Sequence, residues 1–152
     1  MTPETRLREL NLVLPAPPMP LGAYVPAVAA GGLLFVSGML PVRDGRPVWT
    51  GRVGTELTAA DGREAARLAA LNGLAAARAA LGSLDRVRRP ARLTVHVTAA
   101  ADFTAHAAVA DGASELLAAL FENGGGHARL ALGASSLPGG MPVELEMIFE
   151  LA

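Results

Sequence analysis

Cysteine is absent from all 152 residues, which excludes thiol nucleophiles, cysteine metal sites and disulfides. Lysine is missing too. All 13 basic residues are arginine, so Schiff-base catalysis and a lysine-dependent phosphate loop are impossible, and any cation the chemistry needs is a guanidinium. An alanine- and arginine-rich coding bias accounts for the composition, but the chemical exclusion holds either way. Neither sign of charge is in excess. The net charge is −1 and the arginines are scattered, which leaves no stripe to attract a nucleic-acid backbone or an anionic membrane. No apolar run approaches membrane-spanning length, and the opening MTPETRLREL lacks the unbroken apolar region of a secretion signal. The expectation is a soluble, cytoplasmic protein with neither a membrane nor a nucleic-acid partner. His96, His106 and His127 lack the short spacing of a metal motif, and no cysteine is there to complete one, so no metal site is expected.

A hydrophobic content of 51% over this length suits one domain with a substantial core. Thr2 to Leu10 reads as a short helix. Pro15, Pro17, Pro18 and Pro20 then force an extended arm, so residues 1–20 form a helix and arm leading into a domain at 21–152. Ala23 to Val28 and Leu33 to Ser37 flank Gly31-Gly32 and predict a hairpin. Pro41 to Glu56 reads as a loop, with turns at Asp44-Gly45 and Gly51 and a short strand around Val48 and Trp49. Thr58 and Asp61 are spaced as a capping box for a long helix ending near Leu81, with Gly82 as its terminator. Leu93, Val95 and Val97 alternate as a strand, and a second helix begins near Asp102 or Thr104 and ends before Gly124. Strands at Ala128 to Ala134 and Pro142 to Leu151 complete the order β-β-α-β-α-β-β. This predicts an α+β fold, a mixed sheet with two long helices on one face and an uncovered opposite face suited to a subunit interface.

Arg129 is the sharpest candidate for chemistry. It opens an apolar strand just after a triple-glycine loop, and its planar fork of donors suits a carboxylate. A structural ion pair or a solvated strand end fits the same pattern. Glu144 and Glu146 share one strand face, where either can orient water or accept its proton, though exposed alternating glutamates look the same. An ordinary hairpin at Leu137 to Met141 would set Arg129 opposite Phe149 and leave Glu144 roughly five residues, or ~17 Å, along the strand. That spacing argues against an Arg129–Glu144 ion pair within such a hairpin, while long side chains or a neighbouring subunit would still let both residues line one ligand cleft. His127 shares a strand face with Arg129 and reads as an exposed strand-end histidine. Ser37 has no nucleophile-elbow context, and Ser135-Ser136 has no partner pattern.

Three ordered segments resemble the RidA/YjgF (endoribonuclease L-PSP-like) family. They are Gly22-Ala-Tyr24-Val-Pro-Ala-Val28, Leu33-Leu-Phe-Val-Ser-Gly38, and Ala128-Arg129 followed by Leu137-Pro138 and Val143-Glu144-Leu-Glu146. The YVPAV string resembles a longer subgroup. The resemblance implies a chorismate-mutase-like α+β fold, assembled as a homotrimer with a ligand cleft between neighbouring subunits. It further implies hydrolysis of reactive 2-imino or enamine acids to 2-keto acids and ammonia without a cofactor. Arg129 would hold the carboxylate of a small substrate, Glu144 would position water, and Tyr24, Ser37 and Ala131 would line the cleft. A noncatalytic trimer that binds a small carboxylate uses the same Arg129, and an endoribonuclease label attaches to some relatives. The family's common tyrosine-serine-glutamine string is Tyr24-Val25-Pro26 here. The glutamine often following FVSG is Met39, and the serine or cysteine two residues after the arginine is Ala131, which removes polar groups from the expected site.

Overall fold

The computed structural model describes residues 1–152. Its first element is the short helix α1 (Pro3–Glu9), started by the Thr2 side chain accepting from the Thr5 amide. Leu7 is buried in the main core, and Glu4 forms a two-point ion pair with Arg78 (2.6 and 3.0 Å) while accepting from the Leu84 amide. The N-terminal segment is therefore fastened to the domain before the proline-rich stretch begins.

Strands β1 (Ala27–Ala30) and β2 (Leu33–Met39) form the expected hairpin around Gly31-Gly32, both at positive φ. β1 starts later than predicted, because Gly22 to Val25 turns and Pro26, lacking an amide hydrogen, stands just before it. The strand expected around Val48 and Trp49 is not formed. Asp44-Gly45, both at positive φ, instead close a minimal hairpin between β3 (Val42–Arg43) and β4 (Arg46–Pro47). Beyond Pro47, the Val48 amide turns back to the Pro41 carbonyl and the ladder ends.

Helix α2 (Ala59–Leu81) has the predicted capping box, with Thr58 and Asp61 satisfying each other's backbone amides, and it ends at Gly82 with φ of 82°. Helix α3 (His106–Leu120) begins after Asp102 and Thr104, and neither caps it. Phe103 decides the start: it packs on the core and edge-on against His106, with a turn from Ala100 ahead of the helix. The alanines of α2 and Gly112 of α3 let the two helices approach closely, and together they cover one face of the sheet.

The five-stranded sheet runs β1-β2-β7-β5-β6, with β5 (Val87–Thr98), β6 (Ala128–Ala134) and β7 (Val143–Leu151). β6 and β7 are not a hairpin. β6 lies parallel to β5, as a strand-helix-strand unit through α3 requires, and β7 inserts antiparallel between β2 and β5. Burial explains the choice. Val143, Leu145, Met147 and Phe149 are almost wholly inaccessible, and such a strand needs neighbours on both edges. Arg129 accordingly faces Leu93 rather than Phe149. No helix is long and apolar enough to cross a membrane.

Candidate functional site

Tyr24, Ser37 and Glu144 meet at one cavity of about 1260 Å³ near the end of β2. A β-bulge creates this end. The register moves between Val36 and Met39, so Ser37 and Gly38 together stand opposite the single residue between Leu145 and Met147. Ser37 Oγ donates to the Val25 carbonyl at 2.7 Å, and Tyr24 Oη accepts from the Leu21 amide at 3.1 Å. Both side chains thus fix the chain leading into β1. At Gly38 a Cβ would overlap the Glu144 carboxylate, so glycine is what lets that side chain lie across the bulge.

Glu144 is half-buried and takes part in none of the chain's ion pairs. Burial pushes its carboxyl above the ordinary range; His96 opposes that shift and Glu146 adds to it. A carboxyl in this condition is suited to trading a proton with water.

Arg129 sits elsewhere, on the edge strand β6. All its side-chain hydrogen bonds within the chain run through Nη1, to Asp111 Oδ1 at 2.6 Å and Ser114 Oγ at 3.1 Å. The Nε and Nη2 edge, which suits a two-point carboxylate contact, is left open. The structural ion pair that the sequence left as an alternative therefore exists, yet it occupies one corner of the guanidinium only. His127 is half-buried rather than an exposed strand end, with Nε2 at 2.9 Å from Ser114 Oγ. Since that hydroxyl accepts from Arg129, its own hydrogen is free to point at Nε2, which requires a neutral imidazole. Burial, and then the Arg129 charge, hold the His127 pKa below its usual value. Ala131 follows on the same face of β6 and packs against the core.

Arg129 and Glu144 point to opposite faces of the sheet. Arg129 is level with Leu93 and Met147 on the helix-covered face, whereas Glu144 is level with His96 and Leu132 on the open one. Two strand spacings and three residues also separate them, about 10 Å in each direction. Several residues of this site escaped sequence reading. Asp111 and Ser114, one helical turn apart, aim Arg129. Asn72 Nδ2 donates to the Leu40 and Val42 carbonyls (2.8 and 2.9 Å) and pins that segment as a wall of the cavity. Its signal was there: Asn72 is the single polar residue between Leu68 and Ala77.

A mixed sheet with helices on one face, a cleft-lining Tyr24-Ser37-Glu144 group and an arginine on the edge strand define the class. The family model described as "YjgF/chorismate mutase-like, putative endoribonuclease" matches residues 4–149, and the chain belongs to this family. Protein TCP17 of Trypanosoma cruzi is 43% identical over 146 residues, covering 95% of this chain and 91% of that protein. A crystal structure from Agrobacterium tumefaciens, of a protein of unknown function, is 40% identical with a TM-score of 0.90 and covers 99% of this chain and 92% of its own. A Shewanella oneidensis structure carrying the same endoribonuclease label is 32% identical with a TM-score of 0.94, over 99% of this chain and 100% of its own.

Proposed function

We propose that the protein hydrolyses reactive 2-imino or enamine acids to 2-keto acids and ammonia, in clefts shared by neighbouring subunits of a homotrimer. The observation that carries this reading is the Glu144 carboxyl: half-buried, unpaired, raised in proton affinity and facing a cavity lined by Tyr24 and Ser37. The substrate carboxylate binds the open Nε and Nη2 edge of an Arg129 from the adjacent subunit. Glu144 takes a proton from water as the water oxygen bonds to the C=N carbon of the protonated imine, and then passes that proton to the nitrogen of the resulting carbinolamine. The C–N bond breaks, ammonia leaves with the bonding electron pair, and the hydroxyl proton passes to the freed Glu144 carboxylate as the carbonyl forms. The carbon is already electrophilic in a protonated imine, so orientation and proton transfer account for the chemistry.

Ammonia release from freshly generated 2-imino acids tests this directly. Arg129→Ala removes charge-assisted hydrogen bonds of about 1.5–3 kcal/mol in total, a loss of roughly 10- to 100-fold in kcat/KM. Turnover unchanged in a folded Arg129→Ala protein would overturn the assignment. A second reading, a trimer that binds a small carboxylate without turnover, rests on a specific observation. Ala131 offers no hydroxyl or thiol beside Arg129, and Met39 is turned into the core instead of presenting an amide. Binding that depends on Arg129 with no acceleration for any imino acid selects that reading. The endoribonuclease label of the family finds little support in a chain of net charge −1 without a basic stripe; RNA cleavage lost in Arg129→Ala would reverse that ranking.

A further inference from the structure

The cavity that holds Glu144 is far larger than a small imino acid requires. Its 1260 Å³ exceed the upper end of ordinary small-ligand pockets, about 1,000 Å³. A three-carbon imino acid fills only a few water volumes, each ~30 Å³. The polar groups assigned to the reaction, Tyr24, Ser37 and Glu144, gather at the β1–β2 side. Much of the remaining wall is apolar: Leu68 and Leu71 of α2 on one side, and Leu14, Pro17, Met19 and Pro20 of the arm on the other.

This arm is a fixed wall. Upstream it hangs from α1, whose Leu7 is buried and whose Glu4 is paired to Arg78, and Leu12 and Leu14 pack on the core. Downstream it is tied by the Leu21 amide to Tyr24 Oη and by the Val25 carbonyl to Ser37 Oγ. Between these anchors four prolines restrict the backbone, so little conformational entropy is lost when something lies against it. The opposite wall is equally fixed, because Asn72 ties the Leu40 to Val42 segment to α2.

We infer that this apolar section is a side-chain subsite, and that the protein selects 2-imino and 2-keto acids bearing a large aliphatic or aromatic side chain over those derived from alanine or serine. The inference rests on the proposed function for the carboxylate end of the ligand and on the arm–α2 cavity for the other end. Arg129 and Glu144 would grip what all 2-imino acids share, while the cavity reads what distinguishes them. Burying each additional CH₂ in such a site strengthens binding by about fourfold at most.

Calorimetric titration of the intact protein with pyruvate, 4-methyl-2-oxopentanoate and phenylpyruvate tests it. The same series is repeated with 4-methylpentan-2-one and phenylacetone, which keep the side chains and lack the carboxylate. The two larger acids are expected to bind at least tenfold more tightly than pyruvate. Filling the cavity with Leu71→Trp should cut that ratio below threefold. Ala16→Phe, at an exposed arm position lining the same cavity, should cut it too and guards against misfolding of the first variant. Equal affinities across the acids overturn the subsite and leave the proposed function standing. Binding of the ketones but of no acid, abolished by Leu71→Trp, supports the subsite and removes the carboxylate-based function. Failure of every compound to bind overturns both.

Discussion

Glu144 is a carboxyl whose surroundings oppose its charge, and this has a measurable consequence for stability. Its folded-state pKa lies above the ordinary 4.5, chiefly through burial, so the native chain holds this proton more tightly than the unfolded chain does. Below pH 4.5 both states are protonated and the group adds no cost. As the pH rises through the raised folded value, ionisation in the native state becomes unfavourable and stability falls. Glu144→Gln should therefore match the parent protein in Tm below pH 4.5 and exceed it by a constant offset above the folded pKa. Thermal melts from pH 4 to 8 check this, and an offset that shrinks with rising pH contradicts it. Among single residues the sequence was a partial guide. Arg129 was conspicuous because it follows three glycines, but its partner Asp111 lies 18 positions away on α3, and only the parallel packing of β6 beside β5 brings them together. Glu144 and Glu146 are indistinguishable in the alternating pattern of β7. The bulge at Ser37-Gly38, on a different strand, gives Glu144 its half-buried place while Glu146 stays exposed.

Helices were legible as elements because their ends are written locally: Thr58, Asp61 and Gly82 mark α2 within a few residues of each boundary. Replacing Thr58 by Ala should cost about 1 kcal/mol, since Asp61 loses its reciprocal partner. Strand order was less accessible, because alternation gives a strand its faces but not its neighbours, and only complete burial of one face of β7 decides that it is central. Helix packing offers a sharper test. At Gly112 a Cβ would overlap the backbone carbonyl of Arg63, which cannot withdraw unless α2 and α3 separate. At Gly73 its one overlap would be with the terminal methyl of Met147, the flexible end of a side chain, with Met39 Cγ at an ordinary 3.4 Å. Alanine gains about 1 kcal/mol of helix propensity at either site, whereas overpacking costs about 1–3 kcal/mol or more where nothing can yield. Gly112→Ala should lose at least about 1 kcal/mol net and Gly73→Ala should stay within about 1 kcal/mol of the parent. Urea unfolding at one protein concentration distinguishes them, and equal midpoints would contradict this account of the helix interface.

At the scale of the whole molecule, the sheet has one face under helices and one face bare. Val28, Phe35 and Ile148 line up across three neighbouring strands on the bare face, and Phe35 and Leu130 remain 41% and 46% exposed. A second copy of the chain is the proposed cover, and the proposed function makes the same demand, since Arg129 and Glu144 occupy opposite faces of one sheet. Light scattering should give the mass of a trimer, and Phe35→Asp should shift it to monomer with loss of turnover. The most discriminating experiment uses two impaired parents. In a cleft built between subunits, Arg129→Ala still supplies Glu144, and Glu144→Gln still supplies Arg129. Unfolding the two variants together and refolding them as a mixture produces clefts with both native side chains in about one case in four, if subunits assort at random. Ammonia release should then recover to about a quarter of the parent rate, while each variant refolded alone stays at its own lower rate. A site contained within one subunit can never be restored by mixing, because every chain in the mixture lacks one of the two residues.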